Sequence, residues 1–329
     1  MPATITSIAH YLPEDILTNK HFESYLDTSD EWIRTRTGIK ERRIMKNGAT
    51  SDMIVPAAIE CLKKANVDKD EIDCVIVATV TPDHAYPSTA AVVQNKLGMK
   101  NTWGFDLSAA CSGFLFALQT ATSLVESGAA KKVLLCGADK MSSILNKDDR
   151  NTVILFGDGA GVCLIEKSED ENTGVLDSIL RIDGVGGQFL NQKAGGSAFP
   201  ASEETVKNHE HTVYQDGKTV FKYAVKGMAD VSKEIMDKNN LTSNDISYLV
   251  PHQANLRIIS ATADRMGVGM DKVMVNIEKY GNTTAATIPI CLSEWLEAGK
   301  IKKGDNLILS SFGAGFTWGA IYLKWDMNK

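Results

Sequence analysis

The chain has 329 residues, enough for one large core or two joined ones, and its 43% hydrophobic and 23% charged content is ordinary for a globular protein. A net charge of −6 argues against general nucleic-acid binding, and no apolar stretch reaches the roughly 18 residues of a membrane span. The opening MPATITSIAHYLPED lacks the basic start and sustained apolar run of a secretory signal, so a cytoplasmic protein is expected.

In chain order, ECLKKANVDKDEIDCVIV (60–77) reads as helix, polar turn and buried strand. DLSAACSGFLFAL (106–118) then sets Cys111 among Ala109, Ala110, Ser112 and Gly113, with an apolar helix starting at once. KKVLLCG and VCLIEK are strand-like runs. FGDGAG (156–161) precedes the second of them, so it is no dinucleotide fingerprint: that motif needs a helix start to hold a pyrophosphate. A nicotinamide cofactor is therefore excluded. Residues 184–211 are rich in Gly and Ser, then charged, and read as a long surface loop and candidate lid. KEIMDKNNLTSNDISYLV (233–250) repeats helix, turn and strand, PHQANLRI follows it, and KYGNTTAATIP opens another helix after VMVNIE. SSFGAGFTWG (310–319) supplies a last glycine-rich turn.

Three pairs of segments are similar in the same order: 60–77 with 233–250, 116–137 with 287–311, and 156–167 with 312–325. Asn66 meets Asn240 at a spacing of 174, and Gly128 meets Gly299 at 171. The chain thus reads as two copies of one α/β unit, residues 1–174 and 175–329. Carried back to Cys111, the 171 spacing lands on Asn282, so both residues are expected to open equivalent helices that meet about a pseudo-twofold.

The six cysteines form no CxxC pair or zinc spacing. Cys61, Cys74, Cys136, Cys163 and Cys291 lie in helical or strand patterns and are expected in the core. Cys111 is different. Small neighbours admit a substrate, and a helix start favours thiolate, so Cys111 reads as a nucleophile. His252 follows a strand end, where active sites of α/β proteins gather, and with the Asn282 amide it could donate to one oxygen. Backbone N–H groups of the 310–319 turn could face a reacting carbonyl.

DEWIRTRTGIKERR (30–43), HAYPS (84–88), the Cys111 segment, FGDGAG, PHQANLRIISATA, YGNTTAATIP and FGAGFTWG together resemble the β-ketoacyl-[acyl-carrier-protein] synthase III family, in its order and spacing over nearly the whole chain. The resemblance implies a thiolase-like α/β fold, two duplicated halves in a layered αβαβα sandwich. It implies that Cys111 takes the acyl group of an acyl-CoA, with the backbone N–H groups of Cys111 and Ala314 as oxyanion hole. His252 and Asn282 would bind the thioester oxygen of malonyl-acyl-carrier-protein during decarboxylation. By the same likeness Trp32, Arg36 and Arg150 clasp CoA, while Gly217, Phe221, Ala254 and Asn255 line its pantetheine tunnel. Tyr86 matches a residue that reaches across a homodimer to close the acyl pocket. Lys222 and Arg257 match a basic patch for the acidic carrier protein, whereas Asp264 interrupts the bases that relatives carry beside Arg265. No metal or redox cofactor is implied, and CoA thioester is a substrate. A secondary-metabolism acyl-CoA condensing enzyme and a cysteine thioesterase using His252 as base are the competing readings.

Overall fold

The computed structural model describes residues 1–327. The strands that build its two main sheets are β1 (Ala3–Tyr11), β2 (Cys74–Ala78), β3 (Trp103–Leu107), β4 (Val133–Lys140), β5 (Asp158–Lys167), β6 (Gly174–Ile182), β7 (Tyr248–Pro251), β8 (Asn306–Gly313) and β9 (Thr317–Lys324). The helices that cover them are α1 (Asp30–Thr37), α2 (Thr50–Ala65), α3 (Thr89–Leu97), α4 (Gly113–Glu126), α5 (Gly217–Lys238), α6 (Leu256–Met266) and α7 (Thr287–Glu297).

The first sheet runs β1-β5-β4-β2-β3 and the second β6-β9-β8-β7. Both place two antiparallel pairs first and a parallel pair after them, and the first sheet adds a second parallel pair, β2-β3. Where the counterpart of β3 would lie, Val273 makes an isolated parallel bridge to Leu249. One topology is therefore built twice. Period-two alternation sorts the side chains. In β4, Val133 and Leu135 face a middle layer, while Leu134 faces α2 on the outside. The middle layer is α4 and α7, whose Phe114, Leu118, Ile288 and Leu292 pack between the two sheets. On the far side, Val231 and Ile235 of α5 and Ile259 of α6 cover Ile308 and Tyr322. The result is an αβαβα sandwich. Cys61, Cys74, Cys136, Cys163 and Cys291 are all free and fully buried.

Backbone conformation corrects the repeat in one respect. Asn66 and Asn240 are both left-handed at φ 54°, and Gly128 and Gly299 match at φ 78° and 66°. The left-handed Ala110 (φ 48°), however, matches Thr284 (φ 53°), at the 174 spacing rather than 171. The reason is helix length: α4 has 14 residues and α7 has 11, so the spacing changes inside the helix. Cys111 is thus equivalent to Ala285, and Asn282 lies upstream of that helix start. A similar slip affects the third match. Phe156 precedes β5 and bridges Asn282, whereas Phe312 belongs to β8.

We propose that the halves join at Gly174, where β6 begins. Its φ is 94°, and a Cβ there would fall 2.4 Å from the Ala3 carbonyl oxygen, so the junction requires glycine. The 184–211 segment is more ordered than a plain loop. It contains a short strand, Leu190–Gln192, paired with Val213–Gln215, and a short helix, Glu203–Lys207.

Candidate active site

Cys111 sits in a tight turn, Ala110–Ser112, between β3 and α4. Hydroxyl hydrogen bonds with the second half lock that turn. Ser311 Oγ donates to the Cys111 carbonyl at 2.8 Å, Ser112 Oγ donates to Thr317 O at 3.0 Å, and Thr317 Oγ1 donates to Ala109 O at 2.8 Å. Gly313 lies beneath the turn, where a Cβ would stand 2.7 Å from Cys111 N and 3.1 Å from its Cβ. Gly313→Ala is accordingly expected to destabilise the protein by about 1–3 kcal/mol, the usual range for overpacking. Urea unfolding checks this, and a wild-type midpoint would mean that the turn has slack.

Cys111 is buried, 9% exposed as a residue. Burial pushes its pKa up to about 12, the Asp139 charge adds to the rise, and the Asn282 side chain opposes it. The helix start therefore does not leave a resting thiolate, contrary to the expectation from sequence. Asp139 is itself buried and receives Thr79, Thr81 and Val80 donors, while its other oxygen accepts Ala285 N–H at 3.1 Å. Desolvation raises its pKa to about 6, against the pull of those donors.

His252 follows β7, and its N–H donates to Ser310 O at 2.8 Å. The imidazole is 2% exposed, and burial lowers its pKa to about 3, so it is neutral at ordinary pH. Nδ1 lies 2.7 Å from Thr287 Oγ1, whereas Nε2 is buried without a partner. Asn282 is fixed by backbone bonds to Leu155 and Gly157. Its Oδ1 accepts Thr284 N–H at 2.9 Å, which leaves the Nδ2 hydrogens as the free donors of the amide.

Cys111, His252 and Asn282 line one cavity of about 110 Å³ together with Gly217, Phe221, Ala254 and Asn255. Gly217, Phe221 and Asn255 also line an outer groove of about 850 Å³, which contains Trp32, Arg36, Arg150 and Arg257. The guanidinium carbons of Arg36 and Arg150 lie 5.0 and 5.1 Å from the Trp32 ring centroid. On its other side Cys111 borders a second cavity of about 180 Å³, with Ala314 and the apolar Val80, Met141, Ile144, Phe156, Leu190 and Val213. Thus a thiol stands between a polar-mouthed tunnel and an apolar chamber. Leu190 brings the 184–211 segment into that chamber's wall.

Ala314 lines the second cavity together with Cys111, and the positive φ falls on Gly315 (135°) rather than on Ala314. Tyr86 is not gathered in: it is 88% exposed and lines neither cavity. Lys222 is exposed on the second turn of α5 and Arg257 on the first turn of α6, with the Arg257 guanidinium 4.7 Å from the Phe221 ring centroid. Arg265 is paired with Asp230 at 3.3 Å. Among the described residues there is no cluster suited to a metal, and no helix is long and apolar enough to cross a membrane. Ser311, Gly313, Thr317 and Thr287 lie in motifs that the sequence singled out, but their supporting contacts did not show there. Their signal is spatial, since each acts on a segment remote in the chain.

The family model described as 3-Oxoacyl-[acyl-carrier-protein (ACP)] synthase III matches residues 105–184, and the one described as its C terminal matches residues 236–325. A Chlorobaculum tepidum protein named beta-ketoacyl-[acyl-carrier-protein] synthase III is 57% identical over 329 residues, 99% of this chain and 100% of that one. Another of that name, numbered 2, from Bacteroides thetaiotaomicron, is 53% identical over 99% of this chain and 97% of its own length. The crystal structure of 3-oxoacyl-[acyl-carrier-protein] synthase III from Aquifex aeolicus superposes with a TM-score of 0.90 at 42% identity, covering 98% of this chain and 100% of that one. Likeness at this level, sustained along the full chain in sequence and in fold, means that the protein belongs to the β-ketoacyl-[acyl-carrier-protein] synthase III family.

Proposed function

We propose that the protein is an acyltransferase that starts fatty-acid synthesis, condensing an acyl-CoA with malonyl-acyl-carrier-protein through an acyl-Cys111 intermediate. The observation that carries this reading is the position of Cys111 between the tunnel, which also holds His252 and Asn282, and the apolar chamber. A CoA thioester enters along the groove past Trp32, Arg36 and Arg150, with its acyl group toward the chamber. Cys111 Sγ attacks the thioester carbon, and the backbone N–H groups of Cys111 and Ala314 receive the oxyanion. Collapse breaks the bond to CoA sulfur, which departs with the proton that the Cys111 thiol gives up.

Malonyl-carrier-protein then occupies the tunnel, and His252 and Asn282 donate to its thioester oxygen. The bond to the carboxylate breaks, CO2 leaves, and the electron pair forms an enolate held by the two donors. Its carbon attacks the acyl carbon, the bond to Cys111 Sγ breaks, β-ketoacyl-carrier-protein is formed, and the expelled thiolate takes up a proton from solvent to restore the thiol. Burial keeps the imidazole neutral, so it serves as a polarising donor without a charge of its own. The test is product formation from a panel of acyl-CoAs with malonyl-carrier-protein. Release of free acid without malonyl donor would indicate a thioesterase, and indifference to the carrier protein would indicate a condensing enzyme of another pathway.

Two features extend this reading to partners. Tyr86 is a large side chain left 88% exposed, as suits a residue that completes the acyl chamber of a second copy. Light scattering that finds a monomer would remove that role. Arg257 lines the outer groove and Lys222 is exposed next to the lining residue Phe221, on a protein of net charge −6, as suits docking of an acidic carrier. Exposed charges act mainly on encounter and are screened over about 8 Å at physiological salt. Arg257→Glu is therefore expected to raise KM for malonyl-carrier-protein several-fold, more at low salt, while acylation by a small acyl-CoA changes less. Equal, salt-independent losses in both half-reactions would assign Arg257 to folding or CoA binding.

A further inference from the structure

The turn 283–287 holds both side chains proposed above to bind the thioester oxygen. Thr284 N–H binds Asn282 Oδ1 at 2.9 Å, and Thr287 Oγ1 lies 2.7 Å from His252 Nδ1. The turn is itself anchored across the two halves by Asp139, which accepts Ala285 N–H. Its Asn282 bond leaves a defined result, because an N–H can only donate: the oxygen is taken and the amide hydrogens are presented. The His252 bond is different in kind. A hydroxyl can donate to Nδ1 or accept from it, and the direction decides whether Nε2 carries a proton or a lone pair.

The surroundings of Thr287 favour one direction. Its hydroxyl has a single hydrogen and two acceptors within reach, Nδ1 at 2.7 Å and Thr284 O at 3.2 Å. Thr284 O is already served by the Thr287 backbone N–H. The shorter contact is also the normal length of a hydroxyl hydrogen bond. Placed there, the hydrogen satisfies Nδ1 and puts the imidazole proton on Nε2. That atom is buried, has no protein partner and belongs to a residue lining the tunnel end. A buried donor left unpaired is costly unless a ligand completes it.

We propose that Thr287 is a positioning residue that fixes the Nε2–H tautomer of His252, so that the imidazole offers a proton rather than a lone pair to the malonyl thioester oxygen. This rests on the functional reading above and assigns a task to a residue outside the Cys–His–Asn set. One turn then prepares both donors of the decarboxylation, one through a main-chain N–H and the other through a hydroxyl. Cys111 lies on the opposite half's turn, so the acyl-transfer step depends on it only indirectly.

Long-range proton–nitrogen correlation spectra of histidine-labelled full-length enzyme read the tautomer directly, with His252→Asn identifying the signal. The wild type is expected to carry the proton on Nε2. Thr287→Val keeps the shape and removes the hydroxyl, and is expected to lower kcat for CO2 release from malonyl-carrier-protein by about 10–100-fold, the scale on which losing the orienting partner of a metal-bound histidine acts. KM should stay within about twofold, acylation of Cys111 should fall far less, and Thr287→Ser should recover most of the rate, as a shared hydroxyl requires. A wild-type proton on Nδ1, or normal CO2 release by Thr287→Val, overturns the assignment. Should Thr287→Val fail to fold, the wild-type tautomer and the Thr287→Ser rate still decide it. Wild-type enzyme that releases no CO2 would instead remove the functional reading, a result distinguishable from an active enzyme with the wrong tautomer.

Discussion

Cys111→Ala is expected to abolish the acyl adduct that wild-type protein forms with acyl-CoA in the absence of malonyl donor, and to lower condensation by at least about 10³-fold, as loss of a nucleophile does. Intact-protein mass spectrometry should find one added acyl group in the wild type and none in the variant. The five other cysteines are fully buried, so an adduct that survives the substitution would place the nucleophile on another residue type. The same sulfur has a pH signature. With its pKa pushed up to about 12, the free thiol should react with iodoacetamide at a rate that climbs about tenfold per pH unit through neutrality. A plateau below pH 8 would show that the helix start has outweighed burial. The high value also suits the order of events: the thiol stays protonated until a thioester carbonyl, polarised by the oxyanion donors, is in place.

The contrast between those two pH profiles marks how far the sequence could be read. Small residues around Cys111 and the helix after it were visible, and so was the duplication that relates the two sheets. What a sequence does not display is how deeply a side chain is covered, and burial together with Asp139 reverses the sign of the thiol shift. The repeat fails in a similar way. Matching Gly128 with Gly299 gives the right spacing at the helix ends, but α4 is longer than α7, so the same spacing carried back to Cys111 reaches Asn282 instead of Ala285. Cys111 and Asn282 border one cavity all the same, because Asn282 is held to the strand-end segment 155–157 by its backbone.

The supporting residues were less legible than the reactive ones for a physical reason. Ser311, Gly313 and Thr317 act on the Cys111 turn from about 200 positions away, through hydroxyl bonds and a missing Cβ. Serine, glycine and threonine are common, and nothing in their local pattern announces such a contact. The chamber was equally hidden. Its apolar lining comes from five separate segments, including Leu190 of the stretch that reads as a polar loop. Tyr86 shows the converse case, a residue singled out by motif whose task requires a second copy of the chain.

His252→Ala and Asn282→Ala are each expected to lower CO2 release from malonyl-carrier-protein on the order of 10²–10³-fold, the typical loss of one donor to a developing oxyanion. Acylation of Cys111 by acyl-CoA should suffer much less, because its oxyanion is assigned to backbone N–H groups that neither substitution removes. The two steps can be measured apart, as adduct formation and as CO2 release. The double variant should lose less than the product of the single losses, since both donors serve one oxygen and removing either already misplaces it. A neutral imidazole also fixes the pH behaviour. With its pKa lowered to about 3, His252 does not change charge between pH 5 and 8, so its contribution to decarboxylation should be flat over that range. A rate falling below pH 6.5 in the wild type, with that fall absent in His252→Ala, would mean that the imidazole titrates near its ordinary value. Acylation that collapses in either variant while CO2 release survives would reverse the assigned roles, making these side chains partners of the thiol rather than of the malonyl thioester.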